Sequence, residues 1–464
     1  MTIARREFLR RTAAVSIAFG GLQAAFGGRT AQGALATRTR GLGPLVPDPR
    51  GVLDLPEGFS YQEMAHVGEL MDDGFFFPGK PDGMAAFPGP DGKTILMCNH
   101  ENDINWPKSP FGRGNTLLGK VPEGRIYDRG SGKTPGTGGC TVMLYDTRTR
   151  TRERLALALA GTLYNCAGGP TPWGSWISCE ETTHRAGSPA TLEQDHGYAF
   201  EVPVRLDDLP VKPVPLKAMG RFRREAVGVC PRTGIVYQTE DIDLGLLYRF
   251  IPSVPGKLAE GGRLQALALP GACAFDTTNW FRPGMSPGTR LPCRWVDLTD
   301  PESPEDTLRY QGESKGAALF SRGEGLWYGT DGVYFVSTTG GPKRLGQVWR
   351  YLPSPAEGTP GEADAPGMLE LVLESADSTV MKNADNITQA PWGDLIVCED
   401  GPNENHLLGV TPKGQVYRIA QNVASKSELA GCTFSPDGTT LFANLQGDGL
   451  TLAIRGPWSR VQAG

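Results

Sequence analysis

The sequence predicts an all-β protein, a six-bladed β-propeller with irregular insertions. Three observations predict this fold: many residues that break helices, a hairpin pattern that recurs six times, and polar residues at equivalent ends of those hairpins. The 464-residue chain contains 62 Gly and 38 Pro, which helix interiors exclude. Because 39% of its residues are hydrophobic and 21% are charged, the composition is nevertheless that of a globular protein.

The hairpin pattern begins with a turn that ends in Gly. A short run of mostly apolar or β-branched residues follows the turn, and the run ends at a polar residue. Gly-containing turns flanked by such runs are typical of β-hairpins. The turns and the polar residues that follow them are 90–92 with Asn99, His100 and Glu101; 172–174 with Glu180 and Glu181; 231–234 with Glu240 and Asp241; 331–332 with Ser337 and Thr338; 391–393 with Glu399 and Asp400; and 436–438 with Asn444.

A second cluster of small or polar residues precedes each turn. In a hairpin, the start of the first strand and the end of the second lie side by side, so each copy collects two polar positions at one end. Six copies spaced roughly 70 residues apart are what a six-bladed propeller requires. The channel of such a fold would gather these positions at one mouth. The preceding clusters contain Asp82, Cys166, Glu225, Glu324, Asp385 and Gly431.

The chemistry of these positions predicts a metal site at that mouth. Crowded carboxylates repel one another, and no Lys or Arg stands at the closing positions. Carboxylate oxygens suit hard cations such as calcium, whereas a Cys166 thiolate suits iron or zinc; alternatively, Cys166 is merely tolerated in its Gly-rich segment. Arg322 stands two residues before Glu324, on the same face of a strand, and its guanidinium matches an anionic substrate.

The first 36 residues predict a twin-arginine export signal. Arg5 and Arg6 precede Phe8 and an apolar stretch, and a small-residue site at 34–36 follows. We therefore expect one propeller domain at 37–464, periplasmic or secreted after transport by the twin-arginine machinery and free of the membrane after cleavage. The Gly-rich segment 120–137, the Pro-rich segment 269–305 and the run 353–366 are expected to be blade insertions. A net charge of −5 without a basic patch beyond the N-terminus argues against a nucleic-acid partner.

Several segments together resemble the alkaline phosphatase PhoX family, also called the DUF839 proteins. The resemblance runs in order from about Gly51 to Arg455, with one departure: Arg224 stands where the family pattern leads us to expect His. The segments that carry it are 165–174 with 179–181, 99–101, 322–325, 385–387 with 398–401, and 430–438.

The resemblance implies a six-bladed propeller that hydrolyses phosphomonoesters at alkaline pH and releases inorganic phosphate. It implies two ferric ions, bridged by a Cys thiolate and an oxo group, with two or three calcium ions nearby. Carried over by motif, Cys166 bridges the irons, Arg322 holds the phosphate, and Asn99 and His100 are candidates for substrate binding or proton transfer. The other implied metal ligands are Glu180, Glu181, Glu225, Glu240, Asp241, Glu324, Asp385, Glu399 and Asp400.

Two other functions share part of this pattern. A calcium-dependent propeller hydrolase acting on lactones or phosphotriesters needs the same carboxylates but no thiolate. A non-catalytic, calcium-stabilised propeller that binds a ligand or partner needs neither iron nor turnover. We expect a monomer in each case, because a propeller closes its own sheet edges.

Overall fold

The inner strands of six antiparallel sheets pack side by side in a closed ring. The computed structural model describes residues 40–271 and 273–462, and all statements below concern these residues. The predicted signal segment 1–36 and the expected start of the mature chain at Thr37 lie outside them. Within the described residues, no helix has the length and apolar character needed to cross a membrane.

Three N-terminal strands join blades formed mainly by the end of the chain; the first two complete blades follow them. The N-terminal strands are β1 (Leu45–Val46), β2 (Leu53–Pro56) and β3 (Ser60–His66). Blade 1 contains β4 (Pro81–Pro88), β5 (Thr94–His100), β6 (Gly138–Asp146) and β7 (Thr151–Thr162). Blade 2 has only three strands, β8 (Asn165–Pro170), β9 (Ser175–Glu180) and β10 (Ala199–Pro203).

The segment between blades 3 and 4 contributes one outer strand to each of them. Blade 3 contains β11 (Arg224–Val229), β12 (Val236–Glu240), β14 (Leu247–Pro252), β15 (Gly262–Ala268) and β17 (Arg294–Asp297), while β13 (Asp243–Gly245) pairs separately with β18 (Phe320–Ser321). Blade 4 contains β16 (Arg290–Pro292), β19 (Gly323–Tyr328), β20 (Val333–Ser337), β21 (Gln347–Leu352) and β22 (Met368–Glu374). The segment 269–305, expected to be an irregular insertion, therefore supplies β16 and β17 to the outer edges of two blades.

The last two blades close the ring. Blade 5 contains β23 (Ala384–Gln389), β24 (Leu395–Glu399), β25 (His406–Val410) and β26 (Val416–Asn422), and it is extended by β2 and β1. Blade 6 contains β27 (Leu429–Phe434), β28 (Thr440–Leu445) and β29 (Leu450–Arg455), with β3 as its fourth strand. Because both blades combine strands from the two ends of the chain, the ring is fastened by sheet hydrogen bonds.

Short helices occupy the connections between strands. The α-helices are α1 (Leu308–Ser314) and α2 (Ser459–Gln462). The 3-10 turns are Pro90–Gly92, Arg113–Asn115, Leu118–Lys120, Gly130–Gly132, Lys217–Met219, Leu258–Glu260 and Pro360–Ala363. The expected insertions 120–137 and 353–366 contain no strand and only such turns.

The order of packing confirms the six-bladed propeller. Inner strands β4, β8, β11, β19, β23 and β27 contact one another in sequence, and β27 contacts β4. The core lies between neighbouring blades, where large side chains interlock; between blades 3 and 4 these include Tyr237, Phe335 and Trp349, each fully buried. Burying one such side chain contributes roughly 1.5–3 kcal/mol, so each interface between blades helps to hold the ring together.

A β-bulge occurs at the same place in all six blades. In each, two residues near the start of the first strand lie opposite a single residue of the second strand, so the register shifts by one residue. A bulge bends the strand and redirects a side chain. The first residue of each bulge, in chain order, is Asp82, Cys166, Glu225, Glu324, Asp385 and Gly431.

The second bulge residue is small where neighbouring bulges touch. A Cβ on Gly83 would lie 2.5 Å from Cα of Ala167, and one on Gly325 would lie 2.6 Å from the carbonyl oxygen of Asp385. Side chains cannot be accommodated at such distances without moving the backbone of the next blade. The two glycines therefore let the bulges of blades 1 and 2, and those of blades 4 and 5, approach each other closely beside the channel.

Candidate metal centre

The bulges and the hairpin ends build two sets of side chains at one mouth of the channel. The first residues of the bulges form the set that we call the inner ring: Asp82, Cys166, Glu225, Glu324, Asp385 and Gly431. The residues that directly follow the second strands of blades 1, 2, 3 and 5 form the set that we call the outer acids: Glu101, Glu181, Asp241 and Asp400. Blades 4 and 6 have Thr338 and Gln446 at the corresponding positions, so the acidic character is concentrated in the other four blades.

Three overlapping groups within these sets bring their donor atoms within 4.8 Å of one another. The groups are Asp82, Glu101 and Cys166; Cys166, Glu181 and Glu225; and Glu225, Glu324 and Asp385. Cys166 belongs to the first two groups and Glu225 to the last two. The result is a continuous arc of three potential cation pockets, two of which share a sulfur ligand and one of which has only oxygen ligands.

Burial and mutual repulsion raise the pKa values of the acids in this arc. The pKa of Glu225 lies well above its usual value, because the side chain is buried and, to a smaller extent, because Glu324 and Asp385 carry like charge. Burial, then the charge of Glu101, raises the pKa of Asp82 to about 7. Burial also raises the pKa of the Cys166 thiol well above its usual range, with a further contribution from Glu225. Without cations, therefore, these groups bind protons up to a higher pH than the same groups do in water.

The donor set fits metal ions. Oδ1 of Asp82 is buried and has no hydrogen-bond partner among the described residues, while its Oδ2 accepts a 2.7 Å bond from Gln446. A buried carboxylate oxygen without a partner is costly unless a cation or proton meets it. Carboxylates match calcium and ferric iron, and a thiolate adds preference for a transition metal.

A basic rim surrounds the acids. Arg322 donates from Nε and Nη2 to the two carboxylate oxygens of Asp241, at 2.8 and 2.7 Å, and from Nη2 to Glu324 at 2.8 Å. Nζ of Lys80 lies 3.1 Å from Oε2 of Glu101, and Nε of Arg223 lies 3.9 Å from Oε1 of Glu181.

The rim residues occupy equivalent places in the fold. The backbone N–H of Glu101 donates to the carbonyl of Lys80, and those of Asp241 and Thr338 donate likewise to Arg223 and Arg322. Arg322 has φ of 49° and Lys80 has φ of 44°. This left-handed conformation is unfavourable for residues other than Gly, and it is often found at functional sites.

Three predicted metal ligands point away from the channel. Successive side chains on a strand face opposite sides, so only one residue of each consecutive acidic pair can reach the mouth. Glu180 accepts hydrogen bonds from His196 and from backbone N–H groups. Glu240 accepts from Tyr248 at 2.8 Å, and Glu399 accepts from His406 at 2.7 Å. Their second members, Glu181, Asp241 and Asp400, take the channel side, which corrects the prediction for the first members.

Asn99 and His100, predicted for binding or proton transfer, are enclosed in blade 1. Asn99 donates to the carbonyls of Cys166 and Ala167 and accepts from Trp176 and Ser178. It therefore positions the bulge that carries Cys166. His100 contacts the Gly79 carbonyl and the Thr141 hydroxyl, each at 3.0 Å, and burial lowers its pKa to about 3. Both residues are fully buried, so neither can meet a substrate.

Arg224, the departure from the family pattern, also lies outside the mouth. Its guanidinium donates to backbone carbonyls of Met219 and Gly197 and to Gln238 inside blade 3, and it is fully buried.

Sequence reasoning placed Asp82 and Glu101 at the mouth without naming them as metal ligands, and it missed Glu428, Lys80 and Arg223. Burial, then the charges of Asp385 and Asp400, raises the pKa of Glu428 well above its usual value, which indicates that it faces the same acids. Asp82 and Glu101 could have been recognised as ligands by aligning the six copies, since they occupy the positions of Cys166 and Glu181. The signal for the other three appears only once the register of the bulges is known.

The chain is similar to several solved structures. PhoX from Pseudomonas fluorescens, solved in complex with vanadate, a transition state analogue, is 17% identical, with a TM-score of 0.64 over 89% of this chain and 97% of that one. The gluconolactonase XC5397 from Xanthomonas campestris is 11% identical, with a TM-score of 0.40 over 90% and 98% of the two chains. Virginiamycin B lyase from Staphylococcus aureus is 10% identical, with a TM-score of 0.39 over 86% and 99%.

No curated protein matches the sequence. The family model "Alkaline phosphatase PhoX" matches residues 40–151 and 145–449, which together cover nearly all of the propeller, including every residue of the inner ring. The chain therefore belongs to the alkaline phosphatase PhoX family and is an alkaline phosphatase of that type.

Proposed function

We propose that this chain is an exported phosphomonoesterase whose site is a cluster of two ferric ions and two or three calcium ions. The observation that carries the proposal is the arc of three donor groups joined through Cys166 and Glu225. The two groups that contain Cys166 suit iron, because a thiolate favours a transition metal. The group of Glu225, Glu324 and Asp385 offers only oxygen and suits calcium.

The outer acids extend this ligand set. Asp241 and Asp400 lie at the mouth beside the inner ring and suit further calcium ions. When bound, the cations provide Lewis-acid stabilisation of the charge that develops on the phosphoryl oxygens.

The rim positions the substrate. Arg322 uses Nε and Nη2 for Asp241 and Glu324, and its Nη1 has no hydrogen-bond partner among the described residues. Its side chain is 37% exposed, so the guanidinium is held rigidly while one edge stays open to a phosphate oxygen. A planar guanidinium held by two carboxylates is well suited to orienting a phosphoryl group for in-line displacement. Arg223 on the neighbouring blade 3 and Lys80 on blade 1 add positive charge.

The test combines metal analysis with turnover. Protein purified without added metal should contain about two irons per chain together with calcium, and it should hydrolyse p-nitrophenyl phosphate faster when calcium is supplied. A calcium-dependent lactonase or phosphotriesterase would contain calcium without iron and would leave this monoester intact. A non-catalytic propeller would lose thermal stability on chelation but turn over no phosphoester. Absence of both iron and turnover would overturn the proposal.

Export by the twin-arginine route is a separate part of the proposal. It rests on Arg5, Arg6 and the apolar stretch that follows in the sequence, with residues 37–464 as the exported domain. Replacing both residues, Arg5→Lys and Arg6→Lys, should leave the phosphatase in the cytoplasm. Unchanged activity in the periplasm or medium would refute this route.

A further inference from the structure

A basic cleft opens on blade 5 beside the metal centre. Its volume is about 680 Å³, and its lining includes Lys382, His406, Arg418 and Lys426. Among its described lining residues, Glu404 is the single acid. Three cationic side chains against one carboxylate make the cleft attractive to anions, in contrast to the acidic ring next to it.

His406 distinguishes this cleft from an ordinary basic surface. The residue is 4% exposed, its Nδ1 donates to Glu399 at 2.7 Å, and its backbone N–H donates to the same carboxylate at 3.1 Å. The ring is therefore fixed. Its Nε2 is buried and has no hydrogen-bond partner among the described residues, although the residue lines the cleft. A buried ring nitrogen left unpaired is costly, and an oxygen of a bound ligand would satisfy it.

The loops around the cleft are held in place by their own hydrogen bonds. Asn405 is buried and joins the carbonyls of Gly401 and Lys426 through its side-chain amide. Asn422 accepts from the backbone of Ala424 at 3.0 Å and donates to the carbonyl of Ser427 at 2.8 Å. These bonds fix the backbone that carries Lys426. The cleft is thus a preformed concavity.

The cleft is close to the metal centre along the chain. Lys382 precedes Asp385 of the inner ring by three residues, a separation of at most about 10 Å in an extended backbone. Glu399, which holds His406, directly precedes the outer acid Asp400. A molecule whose phosphate reaches the inner ring could therefore place a second group in the cleft.

We propose that the cleft is a subsite for the leaving group of the substrate, and that it selects phosphomonoesters that carry a second oxyanion, either a phosphate or a carboxylate. Arg418, Lys426 and Lys382 supply the positive charge, and His406 Nε2 supplies the fixed contact. This inference rests on the proposed phosphomonoesterase function.

The test compares substrates with and without a second oxyanion. The double variant Arg418→Ala, Lys426→Ala changes two exposed side chains, so the fold should be retained. We expect kcat/KM for fructose 1,6-bisphosphate, relative to that for p-nitrophenyl phosphate, to fall at least tenfold, mainly through KM. 3-Phosphoglycerate reports on a carboxylate in place of the second phosphate. The control Lys413→Ala, at the opposite end of the same blade, should leave both ratios unchanged.

Two outcomes separate this inference from the proposed function. If wild-type protein hydrolyses the esters but the double variant keeps both substrate ratios within twofold, the subsite is refuted and the phosphatase stands. Calorimetric titration with inorganic tripolyphosphate adds a readout that needs no turnover. If no ester is hydrolysed, yet the double variant binds tripolyphosphate at least tenfold more weakly than wild type, the anion site stands and the proposed function fails.

Discussion

The Sγ atom of Cys166 lies 3.2 Å from Oε2 of Glu181, although Cys166 is the second residue of the second blade's first strand and Glu181 follows its second strand. The bulge at Cys166 and the end of β9 produce this proximity. The same geometry recurs in the neighbouring blades with carboxylates in both places. A repeated structural element thus assembles a metal centre from residues scattered over some 300 positions of sequence.

Arg322 provides the first prediction. Arg322→Lys keeps the charge but loses the planar fork that Asp241 and Glu324 hold. Because hydrogen bonds between charged groups contribute about 1.5–3 kcal/mol, kcat/KM for p-nitrophenyl phosphate should fall by roughly 10- to 100-fold. Arg350→Lys is the matched control on the same blade, where Arg350 pairs with Glu370 away from the mouth. Equal kcat/KM values for the two variants would argue against a role in holding the phosphate.

Neutralising an inner-ring acid should stabilise the metal-free protein. An acid whose folded-state pKa is raised destabilises the protein as pH rises above the unfolded value, which for Glu225 is 4.5. Glu225→Gln should therefore raise the free energy of unfolding of the chelated protein at pH 8, and raise it by less at pH 5. It should also reduce the additional stability that calcium provides.

Denaturant melts in the presence of a chelator measure this effect, with Glu57→Gln at an exposed position as the control. A chelated Glu225→Gln protein that is less stable than wild type at pH 8 would contradict the repulsion on which the metal assignment depends.

His196 gives stability a defined pH dependence. It is fully buried between Glu180 at 2.6 Å and Asp128 at 3.4 Å. Although burial lowers its pKa, the charge of Glu180 and the hydrogen bonds to both acids raise it to about 9. Because its pKa is raised, His196 contributes its full stabilisation of the fold below about pH 6.5, and this contribution is lost as the pH rises through about 9.

His196→Gln should therefore cost on the order of 3 kcal/mol at pH 6 and progressively less toward pH 9.5. The measurement is the difference in unfolding free energy between wild type and variant across this range. His66→Gln, at a more exposed histidine, serves as the control. A pH-independent difference for His196→Gln would show that its charge is not involved.

The alternation of side chains along each strand and the bulges explain which parts of the fold and the site could be predicted from the sequence. Six recurring hairpins sufficed to predict the propeller and the acidic mouth. Consecutive acids such as Glu180 and Glu181 cannot both face the channel. The bulge determines which of the two does so, and no residue type in the sequence marks the position of a bulge. Asn99 and His100 were predicted from the motif that carries the family resemblance, whereas Glu101 holds the channel position. Lys80 and Arg223 became visible only through their backbone register with the outer acids.

Close contact between bulges predicts a sharp sensitivity at Gly83. A methyl group there would lie 2.5 Å from Cα of Ala167 and 2.9 Å from the carbonyl of Cys166, so Gly83→Ala must displace the strand that carries the thiol. Overpacking of this kind costs about 1–3 kcal/mol, and metal content should fall with stability. Gly119→Ala is the control, because its Cβ would meet no atom within 4 Å. Equal melting temperatures for the two variants would refute this reading of the bulges.

The most direct test of the metal centre is the iron content of Cys166→Ser, compared with Cys293→Ser. Both thiols are 5% exposed, but Cys293 lies between the outer strands β16 and β17. With each variant purified without added metal and its fold verified by circular dichroism, we expect Cys293→Ser to keep about two irons and full phosphatase activity. Cys166→Ser should lose its iron and at least 99% of its turnover. A folded Cys166→Ser protein that retains the iron content of wild type would contradict the account.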